Sequence, residues 1–185
     1  GKGFDKDSLK ILKKKKNLMI NDISKFKPKN ISSFRIFDGS FLIQNKNKIV
    51  LDRKKIKCVT KLKPSKKELA EIEFAFNISK YVKSNAIVLC NNFSTIGIGA
   101  GQPSRLDSCK LAIQKARQFQ SGKIKNSVAA SDAFFPFADG VQTLIKAGIK
   151  IIVQPGGSIR DQEIINAADK AKIKMLFTGV RHFNH

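Results

Sequence analysis

The sequence predicts an α/β layered sheet, and three observations predict it. From residue 64 onward, short apolar runs alternate with longer segments of helical period. Glycine-bearing turns separate the two kinds of segment. The 185 residues are 42% hydrophobic, enough for one substantial core. Strands alternating with helices build layered sheets, whose ligands sit at the carboxyl ends of the strands.

Taken in order, residues 5–16 read as a short helix with Leu9 and Leu12 on one face. NLMI (17–20) is a strand candidate. In SFRIFDGSFLIQNKNKIV (33–50), apolar runs flank Asp38-Gly39, a hairpin signal. IKCVT (56–60) is a further strand. Ser65 and Glu68 form a capping box, and Leu69, Ile72 and Phe76 then recur at helical spacing. AIVLC (86–90) is a buried strand, and STIGIGAG (94–101) a glycine-rich strand ending in a turn. SRLDSCKLAIQKARQF (104–119) is helical, with Leu106, Cys109, Ile113 and Ala116 on one face. NSVAASD (126–132) is a strand end. Asp139 is placed to cap a helix running to Ala147, which Gly148 stops. IKIIVQP (149–155) is a strand, SIRDQEIINAADKAKI (158–173) a helix, and KMLFT (174–178) the last strand. No internal repeat or low-complexity linker interrupts them. The opening GKGFDKDSLKILKKKK reads as the interior of a longer chain.

The net charge of +22 raises a basic nucleic-acid-binding module as one reading. That reading needs lysines gathered on one face with exposed aromatics. Only six of the 36 basic residues are arginine, and Lys, Asn and Ile, all with A/T-rich codons, are abundant throughout. Compositional drift therefore accounts for the charge without a polynucleotide, and the tetralysine Lys13–Lys16 reads as a solvated helix end. The same drift makes Arg35, Arg53, Arg105, Arg117, Arg160 and Arg181 informative. Each holds a fork for bidentate contact with phosphate or carboxylate that lysine cannot reproduce. Cys58, Cys90 and Cys109 are widely spaced and read as buried free thiols of a cytoplasmic protein, with no metal site. No run of about 18 apolar residues is present, and no membrane partner is expected.

Four stretches are candidate site loops. In GIGAGQPSR (97–105), glycines precede a helix start that carries Arg105. They serve either close approach to an anion or tight strand packing, and the pattern is neither GxGxxG nor a P-loop. SDAFFPFADG (131–140) sets three phenylalanines around a proline. Either one or two of them line a pocket for a flat heterocycle, with Asp139 at its mouth, or all three are core. In QPGGSIRD (154–161), Ser158 either caps a helix or faces a polar ligand. The ending VRHFNH holds both histidines, His182 and His185, as an HxxH without a nearby carboxylate or cysteine.

Together, VKSNAIVL, TIGIGAGQPSR, SDAFFPFADG, QPGGSIRD and RHFNH resemble, in order, the bifunctional purine-biosynthesis family. They are similar to the C-terminal half of its aminoimidazole-carboxamide-ribonucleotide (AICAR) transformylase domain. The resemblance implies a three-layer α/β/α mixed sheet of cytidine-deaminase type. Residues 64–185 would form the second such subdomain, and residues 1–63 a connector. It implies formyl transfer from 10-formyltetrahydrofolate to AICAR in IMP synthesis, in a cytoplasmic homodimer, with a monovalent-cation site as a further family feature. Asn85, Arg105, Phe134 and Arg181 would contact AICAR, the first two across the dimer interface. Leu106, Asp139, Ser158 and Ile159 would line the folate site, with Phe137 and Phe183 close by and His185 near the site without an assigned role. The family's catalytic Lys-His pair lies in the other half of the domain, so this piece would hold no catalytic residue and would be inactive alone. A zinc deaminase, suggested by fold alone, needs HxE and PCxxC, and neither is present.

Overall fold

The structure is a computed structural model and describes residues 3–27, 32–45, 47, 49 and 51–184. His185 lies outside the described residues. Contacts divide the chain into two compact units, Gly1–Lys46 and Asn47–His185. The second unit therefore begins upstream of the 63/64 boundary expected from sequence.

In the first unit, α1 (Lys6–Leu12) starts where the Asp5 carboxylate accepts from the Ser8 amide at 2.7 Å. It ends at the tetralysine, which is exposed. β1 (Ser33–Phe37) and β2 (Ser40–Gln44) form the antiparallel hairpin predicted around Asp38-Gly39. Gly39 takes a φ of +75°, as the turn requires. Residues 17–20 form no strand; Leu18 and Met19 are exposed there, and no strand among the described residues pairs with them.

The second unit is an α/β body built on a six-stranded mixed sheet. β3 (Lys57–Cys58), β4 (Ile87–Asn91), β5 (Ser94–Gly99), β6 (Val128–Ser131), β7 (Ile151–Gln154) and β8 (Lys174–Phe177) lie in the order β3-β8-β7-β6-β4-β5. β6, β7 and β8 run parallel, and β4 pairs antiparallel with both β5 and β6. The helices are α2 (Lys66–Ser79), α3 (Arg105–Gln120), α4 (Ala138–Lys146) and α5 (Asp161–Lys170). α4 and α5 are the crossovers between the parallel strands.

Alternation along the strands divides the core in two. Ile87, Leu89, Ala129, Ile152 and Met175 cluster with Cys109, Ala112 and Ile113 of α3, Leu144 of α4 and Ile164 of α5. Val88, Cys90, Val128, Ala130 and Val153 cluster with Ile72, Ala75 and Phe76 of α2. The Ser65–Glu68 capping box starts α2 as the sequence predicts. Gly148, at φ +95°, follows the C-cap of α4.

Two helix starts differ from expectation. α4 begins after Phe137, whose side chain makes no cap, and Asp139 lies within the first turn, where its carboxylate accepts from the Gly140 amide. α5 begins at Asp161, after Arg160, so Ser158 is not its cap. Asp161 instead accepts from the Gly157 amide at 2.7 Å, which ties the preceding loop to the helix start.

The glycines of GIGAG answer a packing need. A Cβ on Gly97 would collide with the Ala112 carbonyl, and one on Gly99 with the Ser108 carbonyl. α3 therefore lies directly on β5, and its first residue, Arg105, reaches the sheet. The cradle reading of Gly97 and Gly99 gives way to strand packing.

Candidate functional site

A cleft of about 560 Å³ opens beside the carboxyl end of β6 and the N-terminal turns of α3 and α4. Asn85, Arg105, Leu106, Phe134, Asp139 and Arg181 all line it. Six of the eight residues selected from sequence thus meet in one place. Ser158 and Ile159 do not line it. The Ser158 hydroxyl accepts from the Arg160 amide at 3.2 Å, and Ile159 is fully exposed.

The three phenylalanines set around Pro136 differ in burial. Phe135 is buried beside Gly140, where a Cβ would strike its ring, and its amide donates to the buried Gln154 side chain at 2.9 Å. Phe134, Phe135 and Phe137 all line the cleft, Phe135 from its buried position. The Arg181 guanidinium lies 4.7 Å from the Phe134 ring centre, and that of Arg160 lies 4.8 Å from Phe137. Arg181 is exposed and forms no ion pair with any described residue. It is a cationic fork at the cleft mouth, available to an anion.

Arg105 is held quite differently. It is buried, and its Nη1 donates to Asp132 Oδ1 at 2.5 Å and to Ser131 Oγ at 2.8 Å. Its Nη2 donates to Asn85 Oδ1 at 2.9 Å. Asn85 Nδ2 in turn donates to the Gln102 and Pro103 carbonyls. Both ends of the Asn85 amide are thus engaged within the chain, and its present work is to orient Arg105.

Asp132 is the residue that sequence reasoning passed over, although it stands inside SDAFFPFADG. It is fully buried, and its second oxygen accepts from Ser84 Oγ at 2.6 Å. Ser84 Oγ accepts from the Asn184 amide, and the Ser84 amide donates to the Asn184 carbonyl. The Asp132 carbonyl accepts from the His182 amide at 2.8 Å. One strand-end aspartate thereby fixes both Arg105 and the segment 182–184, which carries Arg181 to the cleft. A buried polar residue directly after an apolar strand was the available signal.

His182 is buried against Phe76, ring centres 4.6 Å apart, and lies outside the cleft lining. Asn47 Oδ1 accepts from the Ile49 amide, which turns Asn47 Nδ2 toward His182 Nδ1 at 2.7 Å. Nδ1 is therefore an acceptor, and the proton belongs on Nε2, which has no partner among the described residues. Burial, reinforced by Lys80, lowers the His182 pKa to about 4. The HxxH reading of the ending is not met at His182. Burial pushes the Cys90 and Cys109 thiols up to about 12, while Cys58 is half-buried.

Two outcomes follow from these contacts. Asp132→Ala leaves the Arg105 charge buried and unpaired, and chemical denaturation should show a loss of about 3–5 kcal/mol. The double change Asp132→Leu with Arg105→Met should cost clearly less, because no orphan charge remains. His182 takes up its proton near pH 6.5 when unfolded but only near pH 4 when folded. Its contribution is fully present above pH 6.5 and is lost as the pH falls toward 4, about 3 kcal/mol in all. His182→Gln should remove that part of the pH dependence in denaturation curves recorded across the range.

Comparison with known proteins gives the chain its relatives. A model of the AICARFT/IMPCHase bienzyme family matches residues 1–115. The "Bifunctional purine biosynthesis protein PurH" of Acetivibrio thermocellus is 46% identical over 185 residues, covering 98% of this chain and 35% of that protein. The protein of the same name from Thermoanaerobacter sp. (strain X514) is 46% identical over 182 residues, covering 98% and 35%. That from Bartonella henselae is 50% identical over 153 residues, covering 80% and 28%. The chain spans about a third of the length of the curated relatives it matches. The chain belongs to the AICARFT/IMPCHase bienzyme family.

Proposed function

We propose that this chain supplies one wall of the substrate and folate sites of an AICAR transformylase. The reaction is formyl transfer from 10-formyltetrahydrofolate to the amine of AICAR, giving formyl-AICAR in IMP synthesis. The observation that carries the reading is the convergence of six selected residues on one cleft, with an aromatic wall and an unpaired arginine at its mouth. Arg181 holds the AICAR phosphate, and Phe134 flanks its ring. Arg105, its charge balanced by Asp132 and its fork oriented by Asn85, offers fixed guanidinium N–H donors to the carboxamide side. Leu106 and Asp139 face the folate, and Phe137 and Phe183 border both ligands. Ser158 and Ile159 belong to the folate set by family resemblance alone.

In the transfer, the amine nitrogen attacks the formyl carbon and the bond from that carbon to N10 of the folate breaks. The amine loses a proton and N10 gains one. The amine is a weak nucleophile, so the step needs a positioned base. His182 is buried away from the cleft and does not serve. The proton carriers are the Lys-His pair of the other half of the domain, and the chain alone is inactive. In keeping with the family, the fold is a three-layer α/β/α arrangement of cytidine-deaminase type, residues 64–185 are its second subdomain, and residues 1–63 its connector. The full protein is a cytoplasmic homodimer with a monovalent-cation site.

A chimera tests this directly. This chain replaces the matching segment of the Acetivibrio thermocellus relative, and formyl transfer is assayed. The chimera should be active. Arg181→Lys should raise the KM for AICAR about ten- to hundredfold, as expected for losing a bidentate charged contact. Phe134→Ala should weaken AICAR binding with little change in melting temperature. A folded but inactive chimera, or unchanged AICAR affinity in both variants, contradicts the reading.

A further inference from the structure

Among the six arginines, Arg35 and Arg117 neither line the cleft nor pair with a carboxylate among the described residues. Arg117 lines a separate groove of about 350 Å³ between α3 and α4. Lys110 and Gln114 stand beside it on α3, and Lys146 and Thr143 face them from α4. Ile113 and Ala147 line its apolar part. Among the described residues, the only ion pair made by its three cations is Lys110 with Asp107, an exposed contact at 3.7 Å within one helix. Such a pair contributes little and yields readily to a stronger anion.

We propose that this groove binds a small oligoanion, a ligand carrying several phosphate or carboxylate groups. Three cations on two helices converge on one concavity, so mutual repulsion disfavours the empty site and an anion relieves it. Arg117 supplies the bidentate fork, the two lysines supply point charges, and Gln114 and Thr143 offer further donors. The concavity separates this cluster from the lysines dispersed over the rest of the surface. Leu106 and Asp139 line the cleft, while Lys110 and Thr143, each one turn further along the same helices, line the groove. The groove is nevertheless a distinct site, and the proposal does not depend on the reading of the cleft.

The test is calorimetric titration of the 185-residue chain with sodium tripolyphosphate and, separately, with tetraglutamate, each at two salt concentrations. Three proteins are compared: the native chain, the groove variant Lys110→Gln/Arg117→Gln/Lys146→Gln, and a charge-matched control, Lys57→Gln/Lys67→Gln/Lys170→Gln, altered at exposed sites elsewhere. The expected result is saturable one-to-one binding of at least one probe. It should weaken about a hundredfold in the groove variant and less than about twofold in the control. Preference between the probes identifies the ligand as phosphate or carboxylate, and equal binding of both marks charge alone as the determinant. No saturable binding of either probe, or equal loss in the two variants, overturns the proposal, because binding would then follow net charge and not the groove.

Discussion

The cleft depends on one buried ion pair. Arg105 and Asp132 meet at 2.5 Å, with the carboxylate fully buried. Taking both charges from water costs several kcal/mol each, and only good geometry offsets that cost. Here the geometry is completed by Ser131, Asn85 and Ser84, so each charged group is hydrogen-bonded on more than one side. Such a pair is a poor source of stability but a strict source of position. Any shift of β6 against α3 would leave a charge unsatisfied.

Several features make sense as ways of bringing that pair together. Arg105 is the first residue of α3, and the helix reaches the sheet only because Gly97 and Gly99 leave room for its carbonyls. Asn85 precedes β4, and Ser84 beside it bonds to both backbone groups of Asn184. The same aspartate that neutralises Arg105 thus docks the segment bearing Arg181. One arginine is fixed inside the wall, and a second is left at the mouth with its charge unpaired. This division of labour suits a site that must hold an anionic ligand without collapsing on itself.

Much of the fold was legible in the sequence, and the legible parts are local. The Ser65–Glu68 box, the Asp38-Gly39 turn and the alternation of apolar runs with helical periods need only short-range chemistry. The misread parts depend on partners far along the chain. Residues 18–20 are apolar but pair with no strand among the described residues. Asp139 looks like a cap, yet Phe137 starts the helix because Phe135 must enter the core beside Gly140. The glycines of GIGAG left two readings open, and only the approach of Ser108 and Ala112 decides for packing. The family motifs located six of the cleft residues. They were silent on Asp132, whose importance lies in contacts to residues 27 and 48 positions earlier.

The most direct test of the cleft is a nuclear magnetic resonance titration of the isotope-labelled chain with AICAR, followed at the arginine side chains and aromatic rings. The expected result is concerted shifts at Arg181 Nε, the Phe134 ring and the Gly140 amide, with the α2 residues unmoved. Replacing Asp132 by Asn should abolish those shifts by releasing Arg105 and the segment that carries Arg181. Shifts confined to other parts of the surface, or none at saturating ligand, would contradict the assignment of this cleft as the binding site.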